Sequence, residues 1–198
     1  MAELIFYYGA MGCSKTANAL MTRFQHVERG RNVWLIKPAT DTREKITFHL
    51  NGKPNKTLVR SRIGIEAWAE VIQEDTIITP PMETDIIICD EAQFLTPKQI
   101  GALKVFAENC NIDVYCYGLR TDFRSQLFAG SKRLFELATK LVELDSVCDC
   151  GNKAIISARI VDGNVVTEGQ VVDIGGDEKY KAMCYSCWKR DQSKQVRK

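Results

Sequence analysis

A dense apolar run from Leu4 to Tyr8 breaks at Gly9 into the loop Gly9-Ala10-Met11-Gly12-Cys13-Ser14-Lys15-Thr16, and a helical pattern starts directly behind it. This strand–loop–helix order constrains the fold more than any other stretch. A buried strand that feeds a helix through a tight turn is half of a βαβ unit, which needs a parallel sheet covered on both faces. The loop also carries chemistry. Its backbone N–H groups, with the positive end of the helix dipole behind them, form a cradle for phosphate. Lys15 is expected to reach the β and γ phosphates of a nucleotide such as ATP, and the Thr16 hydroxyl to ligate Mg²⁺. Ser14 stands where glycine normally precedes the lysine, so the backbone there must suit a residue with a Cβ. Taken alone, the loop also fits a glycine-rich turn before an ordinary helix; its context has to decide.

That context is a repeated alternation. Ala17, Leu20, Met21 and Phe24 recur at helical spacing up to Gly30, and Val33 to Ile36 reads as a second buried strand. Asp41 to about Arg62 is polar, with turn signals at Asn51-Gly52 and Lys53-Pro54, and reads as a long flexible segment. Ile65, Trp68, Ala69 and Ile72 predict a short amphipathic helix over 63–72. Ile86 to Ile88 is a continuous apolar strand. Thr96-Pro97 opens a helix to about Glu108; Ile112 to Tyr117 is a strand capped by Gly118; a helix over 130–138 and a strand over 140–144 follow. Beyond Asp145 the grammar changes. Two short runs flank Asp162-Gly163-Asn164, the mark of a β-hairpin. The expectation is an α/β, parallel-sheet phosphate-loop domain over 1–145, followed by a small β lobe over 146–198.

Composition bounds the partners. The 198 residues are 45% apolar and 26% charged, and 27 Lys and Arg against 25 Asp and Glu leave a formal charge of +2. So even a balance provides no electrostatic footprint for nucleic acid or an anionic membrane. The basic tail from Lys189 to Lys198 reads as a solvated terminus. The chain opens without a basic, apolar leader, and no apolar stretch approaches the roughly 20 residues of a membrane span. A cytoplasmic protein with reduced thiols is expected.

Two constellations add to the loop. Ile86 to Cys89 ends in Asp90-Glu91. Ligands of open α/β sheets bind at the carboxyl ends of strands, so Asp90 and Thr16 can converge on one Mg²⁺. Farther on, Cys148 and Cys150 flank one residue, Cys184 and Cys187 flank two, and the hairpin lies between the pairs. Four thiolates in a reducing compartment suit a closed tetrahedral Zn²⁺ site, structural and not catalytic. Two unmetallated thiol pairs are the alternative.

With those parts in place, the chain resembles the thymidine kinases of the type that joins a phosphate-loop domain to a zinc lobe. The resemblance runs from Glu3 to about Trp188. It is carried by the stretches Tyr8–Thr16, Asp41-Thr-Arg43, Ser61-Arg-Ile-Gly64, Asp90-Glu-Ala-Gln-Phe94, Tyr117–Arg124 and Ile174–Tyr180. It implies Glu91 as the catalytic base for the nucleoside 5′-hydroxyl. It implies Asp41 and Arg43 on the phosphate side, and Ala92 and Gln93 beside Asp90 and Glu91 at the nucleotide. Met11, Phe94, Leu119, Phe123, Phe128 and Tyr180 match positions that wall the thymine. Val171, Val172, Asp173, Ile174 and Gly175 match a lasso whose backbone hydrogen-bonds the base edge, and Arg159 matches a position near the phosphates. The family further implies a homotetramer and feedback inhibition by dTTP.

Two other readings stay open on the sequence. Asp90-Glu91-Ala92-Gln93 also resembles the acidic motif of nucleic-acid ATPases, although such motors need two lobes and this chain has motifs for one. A non-catalytic zinc-ribbon module, with Ser14 marking a decayed nucleotide site, is the second.

Overall fold

The computed structural model describes residues 1–41, 47–169 and 179–193. Eight strands form the central sheet: β1 (Leu4–Gly9), β2 (Val33–Pro38), β3 (Thr47–Leu50), β4 (Lys53–Arg60), β5 (Glu66–Ile72), β6 (Ile86–Cys89), β7 (Asp113–Leu119) and β8 (Lys140–Glu143). Their order is β3-β4-β5-β2-β6-β7-β1-β8. From β5 to β8 every pairing is parallel, whereas β4 runs antiparallel to β5, and β3 antiparallel to β4.

Helix α1 (Lys15–Val27) covers one face, and α2 (Pro97–Asn109) and α3 (Ala129–Leu137) cover the other. The central strands show why their sequences are apolar without alternation. Ile86 and Ile88 join Leu20 and Leu35 on the α1 side, while Ile87 and Cys89 join Ile36, Ile100, Leu103 and Leu134 on the opposite side. A strand with a layer on each face has no solvent side to mark with polar residues. Helix α2 starts as its sequence predicts. The Gln99 N–H donates to Thr96 Oγ1 at 3.2 Å, the Thr96 N–H donates to Gln99 Oε1 at 3.0 Å, and Pro97 occupies the first turn.

Three expectations change. Residues 63–72 are not a helix: Glu66–Ile72 is strand β5, bonded to β2 on one side and β4 on the other. Ala69 and Ile72 are buried, and Trp68 stays half-exposed against Phe48 at 5.1 Å. The spacing 65, 68, 69, 72 suits either period over so short a span, and pairing on both edges decided for the strand. The polar segment before it is not an irregular loop. Most of it is the β3–β4 hairpin, turned by Asn51 (φ 51°) and Gly52 (φ 74°), the positive-φ pair that matches strand twist. Gly118 does not end its strand either; it sits inside β7, paired with Tyr8.

The second sheet is small and antiparallel, ordered β10-β9-β11, from β9 (Ile156–Val161), β10 (Asn164–Val166) and β11 (Tyr180–Met183). The expected hairpin is present, turned by Asp162 (φ 49°) and Gly163 (φ 76°). Strand β11 and the closing helix α4 (Tyr185–Ser193) were not anticipated. Their core is slight: Ala154, Ile156, Ala158, Val165, Met183 and Trp188, packed against three buried cysteines. A cluster of that size does not sustain a lobe without a further staple.

Candidate active site

The phosphate loop leaves β1 at Gly9, where the chain runs too close to its neighbours for any side chain. A Cβ on Gly9 would lie 2.5 Å from the Leu144 carbonyl oxygen and 2.6 Å from Cys13 Sγ. Gly12 takes φ 79°, and Ser14, the departure from the glycine pattern, takes φ 59° and ψ 29°. Serine therefore occupies the left-handed conformation that glycine would adopt with less strain. The Ser14 side chain makes no capping bond to α1. Lys15 is buried and pre-positioned, donating to the Ala10 carbonyl oxygen at 2.9 Å and to Cys13 Sγ at 3.4 Å.

Strand β6 delivers the acids beside this loop. Thr16 Oγ1 donates to Asp90 Oδ2 at 3.0 Å, so the two residues expected to share a metal are already in contact. Burial, reinforced by the neighbouring Glu91 charge, pushes the Asp90 carboxyl up to about 7, although Lys37 and the Thr16 bond pull it down. Its second oxygen, Oδ1, is buried and has no hydrogen-bond partner among the described residues. An orphaned carboxylate oxygen beside a threonine hydroxyl, at the rim of a phosphate loop, fits the donor set of a hard divalent cation such as Mg²⁺. Asp41 lies nearby, in a buried ion pair with Lys37 at 3.0 Å.

Glu91 follows with φ 54° and ψ 36°, the left-handed region again, at the start of the 3-10 turn Ala92–Phe94. A non-glycine residue held there is strained backbone, which concentrates at functional sites. Glu91 is buried to 6% exposure, and it shares one pocket with Met11, Gly12, Lys15, Thr16, Asp90 and Leu119. Ala92 and Gln93, expected at the nucleotide, are nearly without exposure and do not line that pocket. Arg60, Ser61, Arg62 and Ile63 also line the pocket. The sequence had marked Ser61 to Ile63 only as part of the resemblance and assigned them no chemistry.

Of the positions expected to wall the thymine, Met11 and Leu119 line this pocket, whereas Phe94, Phe123, Phe128 and Tyr180 do not. Phe94 and Phe128 meet edge to face, 5.5 Å apart. Phe123 is buried, with the Arg124 and Arg159 guanidinium groups 5.7 and 5.5 Å from its ring centre. Arg159 pairs with Tyr180 across β9 and β11. Arg43 and the stretch from Val171 to Gly175 lie outside the described residues.

Two serines that no motif marks join the small sheet to the loop. The Met11 N–H donates to Ser157 Oγ at 3.0 Å, and Ser146 Oγ donates to the Met11 carbonyl oxygen at 3.2 Å. Isolated serines carry no signal in a sequence; only the fold brings them to Met11.

The metal-ligand expectation is geometrically satisfied. The Sγ atoms of Cys148, Cys150, Cys184 and Cys187 all lie within 4.8 Å of one another, and Cys150 and Cys184 are 3.6 Å apart. Four thiolates around one Zn²⁺ have S···S edges of about 3.8 Å, so the cluster has the size of a Cys₄ site. Arg190 Nη2 donates to Cys187 Sγ at 3.4 Å, a cation beside a cluster that would carry net negative charge. No helix among the described residues is long and apolar enough to cross a membrane.

Comparison with known proteins agrees with this arrangement. The family model described as Thymidine kinase matches residues 2–188. The thymidine kinase of Enterobacteria phage T4 is 42% identical over 196 residues, covering 95% of this chain and 96% of the relative. Those of Zymomonas mobilis and Vibrio cholerae are 40% and 39% identical, over 93% and 96% of this chain and 94% and 97% of their own lengths. A glycine-poor phosphate loop, an acid pair at the end of β6 and a four-cysteine lobe thus occur together in a chain that aligns end to end with these enzymes, and it belongs to the thymidine kinase family.

Proposed function

We propose that the protein transfers the γ-phosphate of ATP to the 5′-hydroxyl of thymidine, giving dTMP and ADP. The observation that carries this reading is the strained, buried Glu91 in one pocket with Lys15, Thr16 and Asp90, in a member of this family. The nucleic-acid motor and the non-catalytic zinc module find no support in a family match that spans both lobes.

Phosphoryl transfer depends on positioning and charge neutralisation more than on covalent help. The loop N–H groups and Lys15 hold the β and γ phosphates. Thr16 and Asp90 would hold Mg²⁺, which when bound neutralises phosphate charge. Binding a cation would also favour the ionised form of Asp90 that burial disfavours. Glu91 accepts the proton of the 5′-hydroxyl as the new O–P bond forms and the bond from the γ-phosphorus to the bridging oxygen breaks, leaving ADP. Arg43 would add positive charge at the transferred group, and the stretch over 171–175 would close on the thymine and exclude competing water. Met11, Leu119, Phe94, Phe128, Phe123 and Tyr180 supply the apolar slot for the base. The four cysteines hold structural Zn²⁺. A cytoplasmic homotetramer inhibited by dTTP completes the reading, on family resemblance.

The test is to incubate the purified protein with labelled ATP and a panel of deoxynucleosides, with nucleic acid, or with neither. Label in dTMP is expected; phosphate release stimulated only by DNA or RNA would overturn the reading. Glu91→Gln should keep nucleotide binding while turnover falls at least ~10²-fold. Near-normal turnover in that variant would remove Glu91 as the base.

A further inference from the structure

Glu91 is a long side chain on a strained turn, and a base has to sit within hydrogen-bonding reach of the proton it takes. The strain sets its backbone but leaves its side-chain torsions open. The structure closes them through the residue two places on. Gln93 Nε2 donates to Glu91 Oε2 at 2.5 Å, and the Leu119 N–H donates to Gln93 Oε1 at 2.9 Å. The backbone N–H can only donate, so it requires the amide oxygen to face β7 and the amide N–H₂ to face Glu91. The anchor is itself held: Ser131 Oγ, on α3 and fully buried, donates to the Leu119 carbonyl oxygen at 2.6 Å.

Gly118 shows that room for this amide is built into the sheet. Its backbone needs no glycine conformation, since it lies within β7. A Cβ there, however, would stand 2.8 Å from Gln93 Oε1 and 3.0 Å from Gln93 N. A Cβ there would meet the Gln93 side-chain amide first, then the Gln93 backbone and the Phe6 ring.

We propose that Gln93, which the resemblance set at the nucleotide but which does not line the pocket, is instead a positioning residue for this reaction and acts by fixing the Glu91 carboxylate to the β7 backbone at Leu119. Because Leu119 lines the same pocket, the network also ties the wall of the base slot to the catalytic carboxylate. The inference rests on Glu91 being the base.

The test is a double-mutant comparison that reads kcat and KM separately. Gln93→Leu should lower kcat by about 10- to 100-fold, the scale of a misplaced catalytic group, with KM for ATP and thymidine within about 3-fold. In a Glu91→Gln background the same substitution should cost less than about 2-fold, because the group it positions is gone. Gln93→Glu keeps the size and replaces the donor with an acceptor, and should reproduce both results if the leucine variant does not fold. Equal losses in the two backgrounds, or a change in KM alone, would overturn the inference and leave the base reading intact. Near-normal turnover of Glu91→Gln would overturn both.

Discussion

Ser14 settles at the residue scale what the loop alone left open. The missing glycine does not change the path of the chain, since serine adopts φ 59° and ψ 29° and its N–H remains in the loop. A single L-residue in that region costs about 1–2 kcal/mol, partly offset because serine has less freedom to lose on folding than glycine. No capping bond is made by its side chain. Ser14→Gly should therefore raise the melting temperature of the ligand-free protein by roughly 1–3 °C, with KM for ATP within about 2-fold. Thermal melts and steady-state kinetics check this. A lower melting temperature would mean that the hydroxyl makes a stabilising contact.

At the scale of elements, the turn that carries Glu91 and Gln93 depends on how closely α3 approaches it. A Cβ on Gly130 would lie 2.6, 2.7 and 2.8 Å from the carbonyl oxygens of Leu95, Gln93 and Ala92. These are backbone atoms and cannot swing aside as a flexible side chain would. Gly130→Ala should cost about 1–3 kcal/mol by overpacking and lower kcat as well, because the displaced turn carries Glu91 and Gln93. Gly101→Ala is the matched control: nothing lies within 4 Å of a Cβ there, inside α2, and a gain of about 0.5–1 kcal/mol is expected. Denaturant titrations of both variants make the comparison; similar effects at the two sites would refute the close-approach account. The β5 strand and the β3–β4 hairpin belong to this scale too. Their sequences were ambiguous because a short apolar pattern fits two periods, and hydrogen-bonded neighbours were needed to choose.

For the whole molecule, the question is what the four-cysteine lobe contributes to a reaction it does not perform. Its own core is small, and it grips the phosphate loop at Met11 through Ser157 and Ser146. Metal binding in such lobes is folding energy, about 10–16 kcal/mol in isolated zinc peptides. Chelating the Zn²⁺ proposed for the four cysteines should loosen the small sheet and release Met11, lowering the melting temperature and raising KM for thymidine and ATP together. Circular dichroism, melting and kinetics before and after metal removal test this. Unchanged folding after complete alkylation of the cysteines would exclude structural zinc.

The division between sequence and tertiary structure follows from the range of the forces involved. Local chemistry was readable in the Asn51-Gly52 and Asp162-Gly163 turns, the Thr96–Gln99 cap, the apolar strands, the phosphate loop, the acid pair at the end of β6 and the cysteine spacing, each of which depends on near neighbours, whereas Lys53-Pro54, expected as a turn, lies in β4. The family blocks added the roles proposed for Glu91 and for the positions matched to the base slot. What the sequence could not carry was contact between distant residues of unremarkable type. Ser157 and Ser146 reach Met11 across more than a hundred positions, and Gly118 is a glycine because Gln93, from another element, fills the space beside it. The phosphate loop that began the reading is thus a local motif in its chemistry. Its support from the small lobe, and the hold on Glu91 beside it, are decided by close packing, which exists only once the chain has folded.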